Sequence, residues 1–241
     1  MRMLHEAAKQ LACSGQSGFD LRTIFAMKHA IFSIFLVVGT LSSRADSVTR
    51  IACVGDSITY GAAIRDRANH CYPKVLADLL GKGYTVRNYG VNGATMLKNG
   101  DRPYWKLGAF KQATEFGPNV VIIKLGTNDT KPQNWGKVGT EYEADLRAMV
   151  AHFKKLPSKP ALYLCLPVPV YQTRWGINEK TVKDGVIPVI RKVAKDEGLT
   201  VIDLHSALSG KPALFPDKIH PNADGAKLMA QTIHTILNKK H

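Results

Sequence analysis

Five short apolar runs, residues 50–55, 85–90, 120–125, 161–166 and 200–204, punctuate the chain. The run Val120-Val121-Ile122-Ile123-Lys124-Leu125 shows no polar alternation. That pattern suits a strand covered on both faces. Apolar positions at helical spacing fill residues 72–80, 105–116, 141–156, 179–197 and 222–237. Pro188 falls inside the fourth of these, which predicts a kink or a late helix start there. Strand and helix patterns that alternate along a chain give a parallel sheet sandwiched by helices. The expectation is one α/β domain, residues 46–241, folded as a flavodoxin-like three-layer α/β/α sandwich with a five-stranded parallel sheet. The sequence shows no internal repeat and no interdomain linker.

Residues 27–45 carry a different pattern. Met27-Lys28-His29 is basic, and residues 30–41 are apolar except for Ser33, Gly39 and Thr40. Ser43-Arg44-Ala45 then places small residues at the −3 and −1 positions of a cleavage site. This is the layout of a secretory signal peptide, and it is too short to span a bilayer as a helix. An uncleaved anchor is the competing reading. Residues 1–26 would bury the basic end of the signal inside the chain, so they are expected to be an upstream mis-start, with translation beginning at Met27. The mature protein is then expected in the periplasm or outside the cell, without stable membrane insertion.

Residues 46–241 are enough for one full hydrophobic core. They hold 28 Lys+Arg against 17 Asp+Glu, a balance of +11. Basic charge raises the question of nucleic acid. No basic run exceeds two residues, however, and no nucleic-acid motif is present, so no nucleic-acid partner is expected. Cys53, Cys71 and Cys165 are an odd set with no metal-ligand spacing. Cys53 and Cys165 lie in apolar runs and read as small buried hydrophobes.

Candidate chemistry gathers at the ends of the strand patterns. Gly55-Asp56-Ser57 follows the first, and by itself reads foremost as an ordinary turn, with a phosphate loop and a nucleophile as the other readings. A serine nucleophile needs a base and an oxyanion site. Near the other end, Asp217 and His220 stand three residues apart on a loop bounded by Pro216 and Pro221. Pro221 favours an extended His220, held off the following helix. Val91-Asn92-Gly93 follows the second strand and Gly126-Thr127-Asn128-Asp129 the third. The first supplies a backbone N–H free to approach a substrate, the second an amide side chain at the same edge.

Taken in chain order, Gly55-Asp56-Ser57, then Gly93, then Gly126-Thr127-Asn128-Asp129, then Asp217 and His220, these four blocks resemble those of the SGNH (GDSL-type) hydrolases. The resemblance covers residues 51 to the last helix pattern. It implies the same α/β/α fold, Ser57 as nucleophile, His220 as base and Asp217 as its orienter, with Ser57, Gly93 and Asn128 forming the oxyanion hole. It implies a carboxylic ester hydrolase acting through an acyl-enzyme, with no metal or other cofactor required. Because the base must be neutral to take a proton, activity should fall on acidification.

For the substrate, Trp105, Trp135 and Trp175 all follow strands on the Ser57 edge, and aromatic faces suit sugars. Trp135, Trp175 and Arg65 are the candidate substrate contacts, while Trp105 is expected to pack against a helix. The longer strings 126–135 and 165–170 resemble bacterial sialate O-acetylesterase and acetylxylan esterase-like proteins. The partner implied is an acetylated glycan or another small ester. A lysophospholipase or thioesterase of the same superfamily, and a non-catalytic carbohydrate-binding module on this fold, remain as alternatives.

Overall fold

The computed structural model describes residues 48–239. The expected upstream segment and signal peptide lie outside the described residues. Strands β1 (Thr49–Gly55), β2 (Tyr84–Gly90), β3 (Val120–Lys124), β4 (Ala161–Cys165) and β5 (Thr200–Ile202) are all parallel and stand in the order β2-β1-β3-β4-β5. Five longer helices flank them: α1 (Tyr72–Leu80), α2 (Gly108–Glu115), α3 (Tyr142–Lys154), α4 (Ile187–Glu197) and α5 (Ala223–Asn238).

The unbroken apolar runs now have their reason. Successive strand side chains point to opposite faces. Ala52, Val54, Val121 and Ile123 therefore pack on one side, with Met149 and Phe153 of α3 and Val193 of α4. Ile51, Cys53, Ile122 and Tyr163 pack on the other, with Leu76 of α1 and Met229 and Ile233 of α5. Each fully buried Ile or Leu contributes about 1.5–3 kcal/mol relative to exposure. Both layers are needed, which is the three-layer sandwich expected from the sequence.

Element ends shift where a local group competes. The pattern over 179–197 breaks into a short turn (Glu179–Thr181), a π-helical turn (Val182–Val186) and α4. Pro188 has no N–H, and its ring crowds the carbonyl four residues back, so the hydrogen-bond ladder widens just before it. The fifth strand stops at Ile202 because Asp203 caps a short helix, Leu204–Leu208, accepting from the Ser206 N–H at 2.8 Å. The pattern over 105–116 divides into a 3₁₀ turn (Tyr104–Lys106) and α2.

All five strands point the same way, so their carboxyl ends share one edge, where such sheets bind ligands. At that edge Gly90 lets β2 press against the turn that follows β1. A Cβ there would stand 2.2 Å from the Tyr60 backbone nitrogen. Cys53, Cys71 and Cys165 are free and buried, and burial pushes the Cys165 thiol up to about 12, so Cys165 is not poised as a nucleophile. Among the described residues, no helix is long and apolar enough to cross a membrane.

Candidate active site

Ser57 opens a single helical turn, Ser57–Tyr60, directly after β1. Asp56 caps the turn: its backbone is extended and its carboxylate accepts from the Ile58 N–H at 2.9 Å. As first residue of the turn, Ser57 has no intrahelical acceptor for its own N–H. Its Oγ lies 2.8 Å from His220 Nε2.

His220 arrives from the loop before α5. Lys218 turns that loop in the left-handed region, with φ of 72°, and Asn222 caps α5 by accepting from the Gly225 N–H. Asp217 binds the loop to itself. Its Oδ1 accepts from the backbone N–H groups of Ile219 (2.9 Å) and His220 (2.7 Å). Its Oδ2 sits 2.7 Å from His220 Nδ1. An ionised carboxylate only accepts, so Nδ1 carries the proton and Nε2 presents its lone pair to the Ser57 hydroxyl. Burial alone would raise the Asp217 carboxyl. The backbone N–H and imidazole of His220 and the N–H of Ile219 outweigh it and hold the group below its ordinary value.

Two further groups meet Ser57 at this edge. Gly93 sits at φ 76°, a conformation that a side chain would strain. Asn128 opens a 3₁₀ turn, Asn128–Thr130, after β3. One hydrogen of its amide is held by the Ala94 carbonyl at 3.1 Å, which leaves the other for a ligand. Asn134 steadies Asn128 from behind, donating to its carbonyl at 2.9 Å, and is itself held by Asp101. Ser57, Gly93, Asn128, Lys131, Trp175 and His220 line a cavity of about 280 Å³, with Ala62 and Ile177 adding apolar wall. Of the residues singled out in the sequence, Ser57, Gly93, Asn128, Asp217, His220 and Trp175 come together here.

Two others do not. Trp135 was expected at the substrate, but it packs inward between two glycines. A Cβ at Gly185 would stand 2.4 Å from its ring and one at Gly139 2.9 Å, and Tyr142 lies 5.6 Å away, centroid to centroid. The segment after β3 forms a helix, Pro132–Val138, and the indole fills the slot that these glycines leave. Arg65 is exposed in the loop after the Ser57 turn and does not line the cavity. Trp105 packs as expected, against Phe110, with its Nε1 donating to the Met96 carbonyl at 2.9 Å.

Buried charged groups that no sequence motif marks support these residues from beneath. Asp129 is fully buried and accepts from the N–H groups of Met96 and Leu97, tying the Gly93 loop to the Asn128 loop. Burial pushes its carboxyl up to about 7 despite those two donors. Lys124, at the end of β3, is also fully buried. A lysine inside a run covered on both faces must find a partner, and that was the available signal.

Residues 53–228 match the model of a family described as GDSL-like Lipase/Acylhydrolase. An acetylxylan esterase of Xylanibacter ruminicola is 39% identical over 91% of this chain and 50% of its own length. A multidomain esterase of Ruminococcus flavefaciens is 26% identical over 87% of this chain and 31% of its own. The chain thus spans half or less of these two relatives. Among solved structures, an aryl esterase of M. smegmatis has a TM-score of 0.65 at 19% identity, over 79% of this chain and 99% of its own. A carbohydrate acetylesterase from Sinorhizobium meliloti has a TM-score of 0.67 at 18% identity, over 80% of this chain and 100% of its own. At such identities the structural likeness speaks for the fold.

Proposed function

The chain belongs to the GDSL-like lipase/acylhydrolase family, and on that premise we propose that it is a serine carboxylic ester hydrolase that removes acetyl groups from carbohydrate. The observation that carries this reading is the continuous chain from the Ser57 Oγ through His220 to Asp217, opening on a cavity. His220 takes the proton of Ser57 as its Oγ attacks the ester carbonyl. The N–H groups of Ser57 and Gly93 and the amide of Asn128 receive the oxyanion. Each such donor is worth about 2.7–4 kcal/mol in the transition state. Collapse expels the sugar alcohol, protonated by His220, and leaves an acetyl-serine. Water activated by His220 then releases acetate.

A small acyl group fits the size of the cavity. A site of about 280 Å³ lies at the low end for ligand pockets, which start near ~300 Å³. The acetylxylan esterase relative supports acetyl on xylan, and the resemblance at residues 126–135 leaves acetylated sialic acid open. The pattern of residues 27–45 supports export to these external substrates. The test is acetate release from acetylated xylan and acetylated sialic acids, beside p-nitrophenyl acetate and octanoate. Acetate esters should be cleaved at least tenfold faster than octanoate. Faster octanoate cleavage would instead favour a lysophospholipase or thioesterase.

Trp175 is the side chain we assign to sugar contact. It is 55% exposed, its ring centroid lies 5.9 Å from that of His220, and the Arg174 guanidinium stacks on it. Trp175 and Gly176 form a two-residue turn with φ of 52° and 81°, closed by paired bonds between Arg174 and Ile177. Both positive φ values favour Asn or Gly, so a tryptophan here carries a local cost of about 1–2 kcal/mol. Trp175→Asn should therefore keep or raise the Tm. It should also raise KM for an acetylated oligosaccharide several-fold, with KM for p-nitrophenyl acetate changing less. An unchanged oligosaccharide KM would remove Trp175 from the binding site.

A further inference from the structure

A fully buried ion pair lies directly beneath the nucleophile turn. Lys124 Nζ donates to both Asp56 oxygens, at 3.0 and 3.2 Å, and to Thr127 Oγ1 at 2.9 Å. Neither charged side chain has any exposure. All three donors of the ammonium are thereby used. Burying such a pair is no simple gain in stability, since apolar residues of similar volume often serve as well or better. What distinguishes this pair is what it joins. Lys124 stands beside Gly55 in the β1–β3 register. Asp56 is followed directly by Ser57, and its carboxylate holds the N–H of Ile58, the next residue of the turn. Thr127 is the residue before Asn128. Among the described residues, the ammonium is the side-chain group bonded both to the cap of the Ser57 turn and to the Asn128 loop.

We propose that Lys124 is a positioning residue: its ammonium fixes the distance between the Ser57 N–H and the Asn128 amide, the donors assigned to the oxyanion. This inference rests on the catalytic reading above. A hydrogen-bonded crosslink at the floor of the site prevents the two strand ends from sliding apart when the carbonyl carbon becomes tetrahedral. Lys124 touches no substrate, so its contribution falls on kcat rather than on KM. Asp129 makes a separate tie, between the Gly93 and Asn128 loops, and leaves the Ser57 turn to Lys124.

The experiment uses the whole chain and two routes to the same tether. Thr127→Val removes only the loop end of the crosslink, with Thr127→Ser as the variant that keeps the hydroxyl. Asp56→Asn combined with Lys124→Met removes the charges together, so no unpaired ion is buried and the Asn can still cap the turn. Acetate ester hydrolysis, Tm, and the rate at which a phosphonate ester labels Ser57 are measured for each. The double variant should lose about 100-fold in kcat, the cost typical of a 1 Å misplacement. Thr127→Val should lose a fraction of that, on the order of tenfold. KM should stay within twofold, phosphonate labelling should slow in parallel with kcat, and Thr127→Ser should return to the parent rate. Thr127→Val with parental kcat, or a loss expressed in KM, overturns the proposal. Ser57→Ala serves as control: if it retains hydrolysis, the catalytic reading fails, whereas a dead Ser57→Ala beside a fully active Thr127→Val sinks the positioning role alone.

Discussion

Ser57→Ala will abolish ester hydrolysis and leave the fold intact. Loss of a serine nucleophile in such a constellation costs about 10⁶ in kcat. Among the described residues, the Ser57 hydroxyl makes one side-chain hydrogen bond, to His220 Nε2, and that nitrogen borders the cavity, where water can replace the lost partner. The Tm should therefore move little, which separates lost chemistry from lost structure. Hydrolysis of p-nitrophenyl acetate, followed at matched protein concentration, is the measurement. Mass spectrometry after exposure to a phosphonate ester adds a second readout: one adduct on the parent protein and none on the variant. An unchanged hydrolysis rate in the variant would remove Ser57 as nucleophile. A parent protein with no esterase activity would return the fold to the alternative of a carbohydrate-binding module.

How far the sequence could be read depended on whether a residue's meaning was local. The strands β1 and β3 were legible because burial on both faces leaves an unbroken apolar run. The Asp217–His220 spacing was legible because one short loop closes the contact, with Oδ1 on two backbone N–H groups and Oδ2 on the imidazole. Trp135 was misread for the opposite reason. Its slot is made by Gly139 and Gly185, and Gly185 lies 50 residues away on the π-helical turn that Pro188 imposes. Gly139, four residues on, marks only half of that slot, and the other half is not adjacent in the sequence. Lys124 stood out as a lysine in an apolar run, but its partner was hidden, since Asp56 is 68 residues away and adjoins it only through the β1–β3 register. Asp56 itself read as a turn residue in a Gly-Asp-Ser string. It is both the cap of the nucleophile turn and half of a buried ion pair.

Asp217→Asn is expected to cost about 10⁴ in kcat, the effect typical of removing only the charge of a triad carboxylate. The reason can be followed atom by atom. The oxygen of the new amide will stay on the Ile219 and His220 N–H groups, which need an acceptor. The amide nitrogen then faces His220 Nδ1 and can only donate to it. Nδ1 must give up its proton, the proton moves to Nε2, and Nε2 now donates toward Ser57 where it should accept. The base is held in place with the wrong tautomer. KM should change little, because Asp217 does not line the cavity. The same carboxyl also links stability to pH. Its folded value is depressed, so its stabilisation is present above the unfolded value, near the ordinary 3.8, and is lost as pH falls through the folded one. The parent protein should therefore exceed Asp217→Asn in Tm at neutral pH, and the gap should close as the solution is taken below pH 3.8. A gap that is constant across that range would mean that the carboxylate is not bound more tightly in the folded state, and with it the orienting role assigned to Asp217 would fall.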